Sequence, residues 1–405
     1  MRAAPINRPI YRRLRYKKRS AVGSVFLFAT LDTKGREADF IRQLLMAWNV
    51  PVTLVDVGVL GTPAVAPDIT RERVFELAGT TLEAVRRKGD RGEAVTLAAS
   101  AATRIAREAH AAGDLHGVLG LGGSAGTTIA TSAMKALPLG VPKVMVSTLA
   151  SGMVRQYVGD KDIFMLNAVA DIIGLNRVSR QILSEAARAM AGLATFPAPS
   201  PDPGDRPLVA ATMFGVTTPC VERARETLER AGYEVLVFHA TGNGGQAMET
   251  LIGEGLIAGV LDVTTTELAD ELVGGFLSAG PARLTAAGKA GIPQVVSTGA
   301  LDMVNFYAPE SVPAEFKDRL FHRHNANVTL MRTTVPESAQ LGATIARKLS
   351  AARGPVSVLL PARGVSRRGT NSASNWNRAA TNVRCYPRFM RTKVRIGMVG
   401  PRMTA

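Results

Sequence analysis

A glycine-rich stretch at residues 122–128 has the residue pattern with the clearest chemistry in this sequence. It follows an apolar run at 117–121 and precedes a helical pattern at 129–137, an order that predicts a strand, a loop and a helix. Glycine lets backbone N–H groups approach a bound group closely, and the helix directs the positive end of its dipole to the same point. We therefore predict an anion site, most simply a phosphate site. Its candidate residues are Gly122, Gly123, Ser124, Gly126, Thr127 and Thr128.

The spacing within this stretch differs from the two best-known phosphate loops. It lacks the Gly-Lys-Ser/Thr end of a Walker A loop, and its glycines do not match the dinucleotide-binding fingerprint. A tight turn from strand to helix, with no ligand, stays open as the alternative interpretation.

A second group of candidate residues follows the first apolar run, at residues 25–29. The group consists of Asp32, Thr33, Lys34 and Gly35. Ligands bind at the carboxyl ends of strands in open α/β sheets, so Lys34 is a candidate phosphate contact. Asp32 is a candidate ligand of a hydrated Mg²⁺ ion or of a ligand hydroxyl. The alternative is that Asp32 or Thr33 only caps the helix that follows.

Short apolar runs alternate with helical patterns in the first half of the chain. The runs lie at 25–29, 52–57, 117–121 and 144–148, and the helical patterns at 37–48, 93–112 and 129–137. This alternation predicts a parallel sheet with right-handed crossovers. The fourth run ends in Ser147 and Thr148, which would supply hydroxyl groups to the same ligand. A basic run at 86–88 is interpreted as a solvated loop or helix end.

A proline-rich segment separates two domains. Residues 195–207 contain five prolines, and such a segment favours extended backbone and cannot belong to a helix or a central strand. We predict an N-terminal α/β nucleotide-binding domain at 21–194, a linker at 195–207 and a second α/β domain at 208–366.

The second domain repeats the pattern of the first. Residues 117–119 correspond to 259–261, and residues 140–148 correspond to 291–298. The fold class predicted from this repeat is α/β, with two doubly wound, Rossmann-like parallel-sheet domains. A second glycine-rich loop, at 239–246, precedes a helical pattern. Further ligand contacts are predicted at the cleft between the domains, namely Asn243, Gly244, Gly245, Thr298 and Gly299.

The positive charge of the chain lies in its two ends. The formal net charge is +16, but residues 1–20 hold eight Lys and Arg and residues 366–405 hold nine, with no acidic residue in either segment. The remainder holds 32 basic and 33 acidic residues. We therefore expect a disordered basic extension at 1–20 and an atypical basic tail at 367–405, and we regard nucleic acid as an unlikely partner.

The cysteine and apolar content excludes several protein classes. Two cysteines argue against a disulfide scaffold and against a cysteine zinc site. No apolar run approaches the 18 residues or so that a membrane helix requires. We expect a soluble protein of a reducing compartment, the cytoplasm.

Four sequence blocks together resemble one known family. They are residues 29–35, 121–127, 146–152 and 327–334. The family is bacterial and fungal, and it is similar to the ATP-binding N-terminal region of the plant protein that confers resistance to tomato mosaic virus. The resemblance implies two α/β domains, bound ATP with Mg²⁺, and a homodimer. The plant region is followed by a barrel-like domain, so the resemblance also implies a separate barrel-like partner protein.

The resemblance ends at Ser366. Members of the family continue with an acidic, periodic segment, whereas residues 367–405 are basic and lack clear periodicity. We hypothesise a frameshift that removes the last elements of the second domain.

The predicted function is ATP binding at strand ends near the interdomain cleft. Whether the protein is an enzyme is left open, because no Ser-His-Asp order and no catalytic carboxylate pair stands out in the sequence. The alternatives are a hydrolase or transferase acting on a phosphorylated or carboxylated small molecule, and a nucleic-acid or protein interaction module.

Overall fold

A computed structural model describes residues 23–152, 154–196, 202, 204–361 and 364–366, together with the backbone of 394–399. The chain forms two compact units, the first within residues 10–200 and the second within 201–405. The basic extension predicted at 1–20 lies outside the described residues, as does most of the tail predicted at 367–405. None of the helices described is long and apolar enough to cross a membrane.

The first unit contains one parallel five-stranded sheet. Its strands are β1 (Ser24–Ala29), β2 (Val52–Asp56), β3 (Leu115–Gly122), β4 (Lys143–Ser147) and β5 (Phe164–Asn167). They lie in the order β2-β1-β3-β4-β5, and every neighbouring pair is parallel. The order of connection reverses between β1 and β3, which is where doubly wound sheets bind ligands.

Helices cover both faces of this sheet. They are α1 (Leu31–Ala47), α2 (Arg71–Leu77), α3 (Leu82–Lys88), α4 (Arg91–Ala112), α5 (Ser124–Lys135), α6 (Arg155–Val158) and α7 (Arg177–Thr195). Alternate residues of β1 enter different apolar cores. Phe26 and Phe28 pack in the core that includes α4 and α5, and Val25 and Leu27 pack in the core that includes α1 and α7. This two-sided burial explains why the strands are continuous apolar runs in the sequence.

The second unit contains a parallel six-stranded sheet and a small antiparallel sheet. Its strands are β6 (Leu208–Met213), β7 (Glu234–His239), β8 (Gly259–Thr264), β9 (Gln294–Gly299), β10 (Met303–Phe306), β11 (Phe321–Asn325), β12 (Val328–Arg332), β13 (Val356–Pro361) and β14 (Val394–Val399). Its α-helices are α8 (Thr218–Arg230), α9 (Asn243–Gly253), α10 (Thr266–Val273), α11 (Ala286–Ala290) and α12 (Val335–Ser350).

The large sheet of the second unit has the same connectivity as the first sheet. Its order is β14-β13-β9-β8-β6-β7, so β6, β7, β8 and β9 occupy the places of β1, β2, β3 and β4. The two sequence blocks that repeat lie on β3 and β8 and on β4 and β9. The predicted pair of α/β parallel-sheet domains related by a repeat is confirmed.

The second unit also departs from the repeat. The antiparallel sheet, in the order β10-β12-β11, is inserted between β9 and α12 and has no counterpart among the described residues of the first unit. β14 lies in the tail for which the sequence indicates no periodic element, and it pairs in parallel with β13. The hypothesis of a frameshift stays a prediction.

Candidate functional site

A cavity of about 970 Å³ lies at the carboxyl edge of the first sheet. It is lined by residues that follow β1, β2, β3, β4 and β5, and by the starts of α4 and α5. Of the residues predicted in the first domain, seven line this cavity, namely Asp32, Thr33, Lys34, Gly123, Ser124, Gly126 and Thr148. The parallel sheet therefore brings three separate sequence motifs together.

The start of α5 presents uncapped N–H groups to the cavity wall. Gly123 is the N-cap residue and provides no side-chain hydrogen bond, and the first turn of α5 contains no acidic residue. The first N–H groups of a helix lack intrahelical partners, and residues 123–126 all line the cavity. A Cβ placed on Gly123 meets only Thr148 Oγ1, at 3.5 Å, so this position opens into the cavity.

The remaining glycines of this loop have a packing role. A Cβ placed on Gly122 would lie 2.8 Å from Gly126 Cα, and one on Gly126 would lie 3.0 Å from the Leu121 oxygen. These two glycines let α5 pack directly against the end of β3. Gly35, which is also a predicted site residue, packs in the same way against Ala64.

Thr127, Thr128 and Ser147 make contacts within the protein. The buried hydroxyls of Thr127 and Ser147 are hydrogen-bonded to each other at 2.7 Å, and Ser147 Oγ accepts a bond from the Leu149 N–H. Thr128 Oγ1 donates to the Ser124 oxygen. None of the three is among the residues that line the cavity. Their hydrogen bonds fix the conformation of the loop. Their predicted contact with a ligand stays a prediction.

Asp32 lines the cavity and belongs to a charged cluster with Asp56 and Arg71. Its Oδ2 accepts a hydrogen bond from the Leu60 N–H at 2.9 Å and lies 3.9 Å from Nη1 of Arg71. Oδ2 of Asp56 lies 3.7 Å from Nε of Arg71. Within the described part of the chain, Oδ1 of Asp32 and Oδ2 of Asp56 have no hydrogen-bond donor. Burial raises the pKa of the Asp56 carboxyl, and the N–H groups of Gly58 and Leu31 oppose this shift.

Neither Asp32 nor Thr33 caps α1, as the alternative interpretation proposes. The helix begins at Leu31, earlier than the predicted residue 37, and Thr30 is its N-cap residue. Asp32 binds the Leu60 N–H of another loop instead. The hydroxyl of Thr33 contacts that of Thr30 at 2.8 Å.

Lys34 and Arg86 bring positive charge to the cavity lining. Lys34 Nζ donates to the Ile172 oxygen at 2.8 Å, which leaves further N–H donors on the ammonium group. Arg86 Nε and Nη2 donate to the oxygens of Val59 and Leu60 at 2.6 and 2.9 Å. Sequence reasoning missed Arg86, because its basic run at the end of α3 resembles an ordinary solvated helix end. Nothing in the sequence near Arg86 indicates that the end of α3 lines the cavity.

Part of the cavity lining is apolar. Val57, Val85, Ala94 and Ile129 belong to the apolar core on the α4 and α5 side of the sheet, and they also line the cavity. A ligand with one anionic end and one flat apolar end matches this arrangement.

The predicted Mg²⁺ ligand, Asp32, is one of three aspartates that line the cavity, with Asp90 and Asp171. Asp32 lines the cavity and has a buried oxygen without a donor among the described residues. No group of three or more His, Cys, Asp and Glu side chains that could hold a metal ion occurs in the described part of the chain. Mg²⁺ often binds through one or two carboxylates together with ligand phosphates, so Asp32 fits that role only with a phosphate ligand present.

The second glycine-rich loop occupies a different place in the repeat. It follows β7, the second strand of its unit, whereas the first loop follows β3, the third strand. Two of its N–H groups, those of Gly242 and Gly245, donate to Glu267 Oε1 at 2.7 and 3.0 Å. A protein carboxylate thus lies on the loop that was predicted to hold a ligand.

Most of the remaining candidate residues in the second unit pack closely against other parts of the protein. A Cβ placed on Gly244 would overlap the His239 oxygen, and one on Gly299 would overlap the Val263 oxygen. Thr298 is buried, and its Oγ1 has no hydrogen-bond partner among the described residues. Asn243 is the first residue of α9. The predicted contact of these residues and of Gly245 with a ligand stays a prediction.

Asp270, in α10, is expected to make the stability of the second unit depend on pH. Burial raises the pKa of its carboxyl to about 7 from the usual 3.8. Between these values the native state holds a proton that the unfolded state has lost, so the contribution of Asp270 to the free energy of unfolding falls as pH rises. Urea unfolding between about pH 4 and pH 7 should show a smaller decline for Asp270→Asn. Equal slopes for the two proteins would contradict this assignment.

Comparison with known sequences places both units in one family. Residues 23–199 match the N-terminal domain of an uncharacterised protein family, UPF0261, and residues 206–386 match its C-terminal domain. A UPF0261 protein of Clostridium tetani is 50% identical over 342 residues, which cover 84% of each chain. A UPF0261 protein of Mesorhizobium japonicum is 45% identical over 359 residues, which cover 89% of each chain.

A tomato protein and a solved structure were also found by comparison. The ToMV resistance protein Tm-1(GCR237) of Solanum lycopersicum is 41% identical over 361 residues, which cover 84% of this chain and 48% of the tomato protein. The structure of a putative UDP-N-acetylglucosamine 2-epimerase from Listeria monocytogenes is 14% identical, covers 68% of this chain and 79% of its own, and has a TM-score of 0.23, too low to indicate a shared fold. The chain belongs to the UPF0261 family.

Proposed function

We propose that this protein binds ATP with Mg²⁺ in the cavity of the first unit, with the phosphates at the first turn of α5. The observation that carries the proposal is a helix N-terminus with no side-chain cap and no acid in its first turn, at the wall of a cavity of about 970 Å³. The N–H groups and the dipole of such a helix favour a bound phosphate.

The rest of the cavity suits the other parts of a nucleotide. Its volume lies within the range of small-molecule sites. The wall formed by Val57, Val85, Ala94 and Ile129 offers an apolar surface for a base, and Lys34 and Arg86 add positive charge for the phosphates. Asp32 would hold the magnesium ion, which when bound would offset phosphate charge. ATP is also the ligand that the family resemblance of the sequence implies.

Calorimetric titration of the full chain tests this proposal. ATP with Mg²⁺ should bind saturably, whereas adenosine and inorganic phosphate should each bind at least about 100-fold more weakly, since each makes only part of the contacts proposed for ATP. A folded protein that gives no saturable heat with ATP would overturn the proposal.

Two threonines of the site should separate ligand contact from loop support. Thr148→Val removes a hydroxyl that lines the cavity and should weaken ATP binding about fivefold to tenfold, with little change in stability. Thr127→Val removes a buried hydroxyl bonded to Ser147 and should lower the free energy of unfolding by about 1–2 kcal/mol, with ATP affinity within about twofold of the parent. Calorimetry and urea unfolding of both variants give the comparison, and a larger affinity loss in Thr127→Val would contradict it.

A hydrolase or transferase is the second candidate. Asp32 lines the cavity, and a carboxylate in that position is the kind of group that would accept a proton from a ligand hydroxyl or from water. Release of phosphate from ATP by the parent, reduced in Asp32→Asn, would favour this class. The homodimer, the barrel-like partner and the cytoplasmic location are proposals that rest on the resemblance and the composition.

A further inference from the structure

The loop between β7 and α9 binds the carboxylate of Glu267 through backbone N–H groups, as anion-binding loops bind their ligands. Glu267 Oε1 accepts hydrogen bonds from Gly242 N–H at 2.7 Å and from Gly245 N–H at 3.0 Å. Both donors lie at the start of α9, an 11-residue helix with no side-chain cap bond. The helix dipole therefore favours negative charge at the same point.

Arg283 completes the donor set around this carboxylate. Its guanidinium is fully buried and donates from Nε to Glu267 Oε2 at 2.6 Å. Its Nη1 and Nη2 donate to the two oxygens of Asp262 at 2.6 and 2.7 Å, which fixes the orientation of the Nε–H. Two backbone N–H groups and one guanidinium N–H are the donors that proteins use for a carboxylate or a phosphate.

Two glycines of the loop let the backbone approach this carboxylate closely. Gly242 has a φ of 84°, a left-handed conformation that other residues rarely adopt. A Cβ placed on Gly245 would overlap Oε2 of Glu267. The loop therefore needs glycine because its backbone approaches a carboxylate closely. Phosphate-binding loops contain glycine for the same reason.

The position of Glu267 in the repeat shows where the two units differ. It lies in the first turn of α10, the helix after β8, which is the place that α5 holds after β3. The first turn of α5 contains no acidic residue and lines an open cavity. The first turn of α10 instead supplies a carboxylate, and that carboxylate occupies the neighbouring glycine loop.

We propose that the second unit contains an anion-binding site for a carboxylate or phosphate group, formed by Gly242 N–H, Gly245 N–H and Arg283 Nε, and that Glu267 is its built-in ligand. Glu267 holds the two helix starts and Arg283 together, and it excludes a free anion from this loop. The proposal does not depend on which ligand the first unit binds.

Anion rescue of Glu267→Ala tests this proposal. The variant leaves a space of carboxylate size with three unpaired donors, and we expect its melting temperature to fall well below that of the parent. Sodium formate at about 100 mM should raise the melting temperature of this variant by about 2–4 °C above its value in sodium chloride of equal ionic strength. If the variant does not fold in chloride, the yield of refolding from urea in formate and in chloride gives the same comparison.

Two control variants distinguish a specific site from a general salt effect. Met248→Ala creates a buried apolar space on the same helix, α9, and should show equal melting temperatures in formate and chloride. Glu267→Gln fills the site with a neutral group and should gain nothing from formate. The proposal is overturned if formate stabilises Glu267→Ala no more than chloride does, or if it stabilises Met248→Ala equally.

Discussion

Gly123→Asp is expected to lower the affinity for ATP about 100-fold or more, while the first unit stays at least as stable as in the parent. Gly123 has φ −83° and ψ −151°, a conformation open to any residue, and a Cβ there meets nothing closer than 3.5 Å. An aspartate at this N-cap position can accept hydrogen bonds from the first turn of α5 and so adds a few tenths of a kcal/mol. The same carboxylate occupies the donors proposed for phosphate and repels it.

The control for this variant is Gly192→Asp in α7. Gly192 has open space around its Cβ position and is not among the residues lining the cavity, so the same added charge should leave ATP affinity within about twofold of the parent. Calorimetric titration and thermal unfolding of both variants provide the comparison. Unchanged ATP affinity in a folded Gly123→Asp protein would remove the first turn of α5 from the site.

Arg71→Met is expected to destabilise the first unit by about 3–5 kcal/mol, because it leaves two buried carboxylates without their shared cation. Nη1 and Nε of Arg71 lie 3.9 and 3.7 Å from Asp32 and Asp56. Without Arg71 the pKa of the Asp56 carboxyl, already raised by burial, rises further. The native state then takes up protons before the unfolded state does, so the loss of stability should be smaller at low pH than at neutral pH.

Urea unfolding measures this effect when a single tryptophan reports on the first unit. The sequence contains two tryptophans, so a Trp376→Phe background leaves Trp48, the C-cap residue of α1, as the reporter. The control Arg73→Ala removes an exposed arginine paired with Glu76 and should change the free energy of unfolding by less than about 1 kcal/mol. The double variant Arg71→Met with Asp56→Asn should be more stable than Arg71→Met alone. Equal losses in Arg71→Met and Arg73→Ala would contradict the role given to the buried cluster.

The fold could be predicted because its determinants are local in the sequence. Strands buried on both faces are continuous apolar runs, and the repeat of residues 140–148 at 291–298 shows that one strand and its approach occur twice. The antiparallel insertion of β10, β11 and β12 has no equivalent in the repeat, so a comparison of the halves could not reveal it. The predicted start of α1, at residue 37, lies after the observed start at Leu31, because the backbone of Lys34, with a φ of −133°, interrupts the helix in between.

The site could be predicted only where its residues follow strand ends. Gly123, Lys34 and Thr148 were found because parallel strands bring their carboxyl ends to one edge. Arg71 and Arg86 were missed, since each reaches the site from a helix distant in sequence. The two glycine-rich loops look alike in sequence, yet the difference between them depends on Glu267, which lies more than 20 residues beyond the second loop and contacts it only in the folded chain.

Hydrogen–deuterium exchange with and without Mg²⁺ and ATP is the most direct test of where the ligand binds. Amides at the start of α5 have no intrahelical partner and should exchange rapidly in the free protein. Saturating ATP with Mg²⁺ should slow exchange in a peptide spanning residues 122–128 and leave a peptide spanning 242–246 unchanged. Protection confined to 242–246, or no protection at 122–128 at a concentration that saturates binding, would contradict a phosphate site at the start of α5.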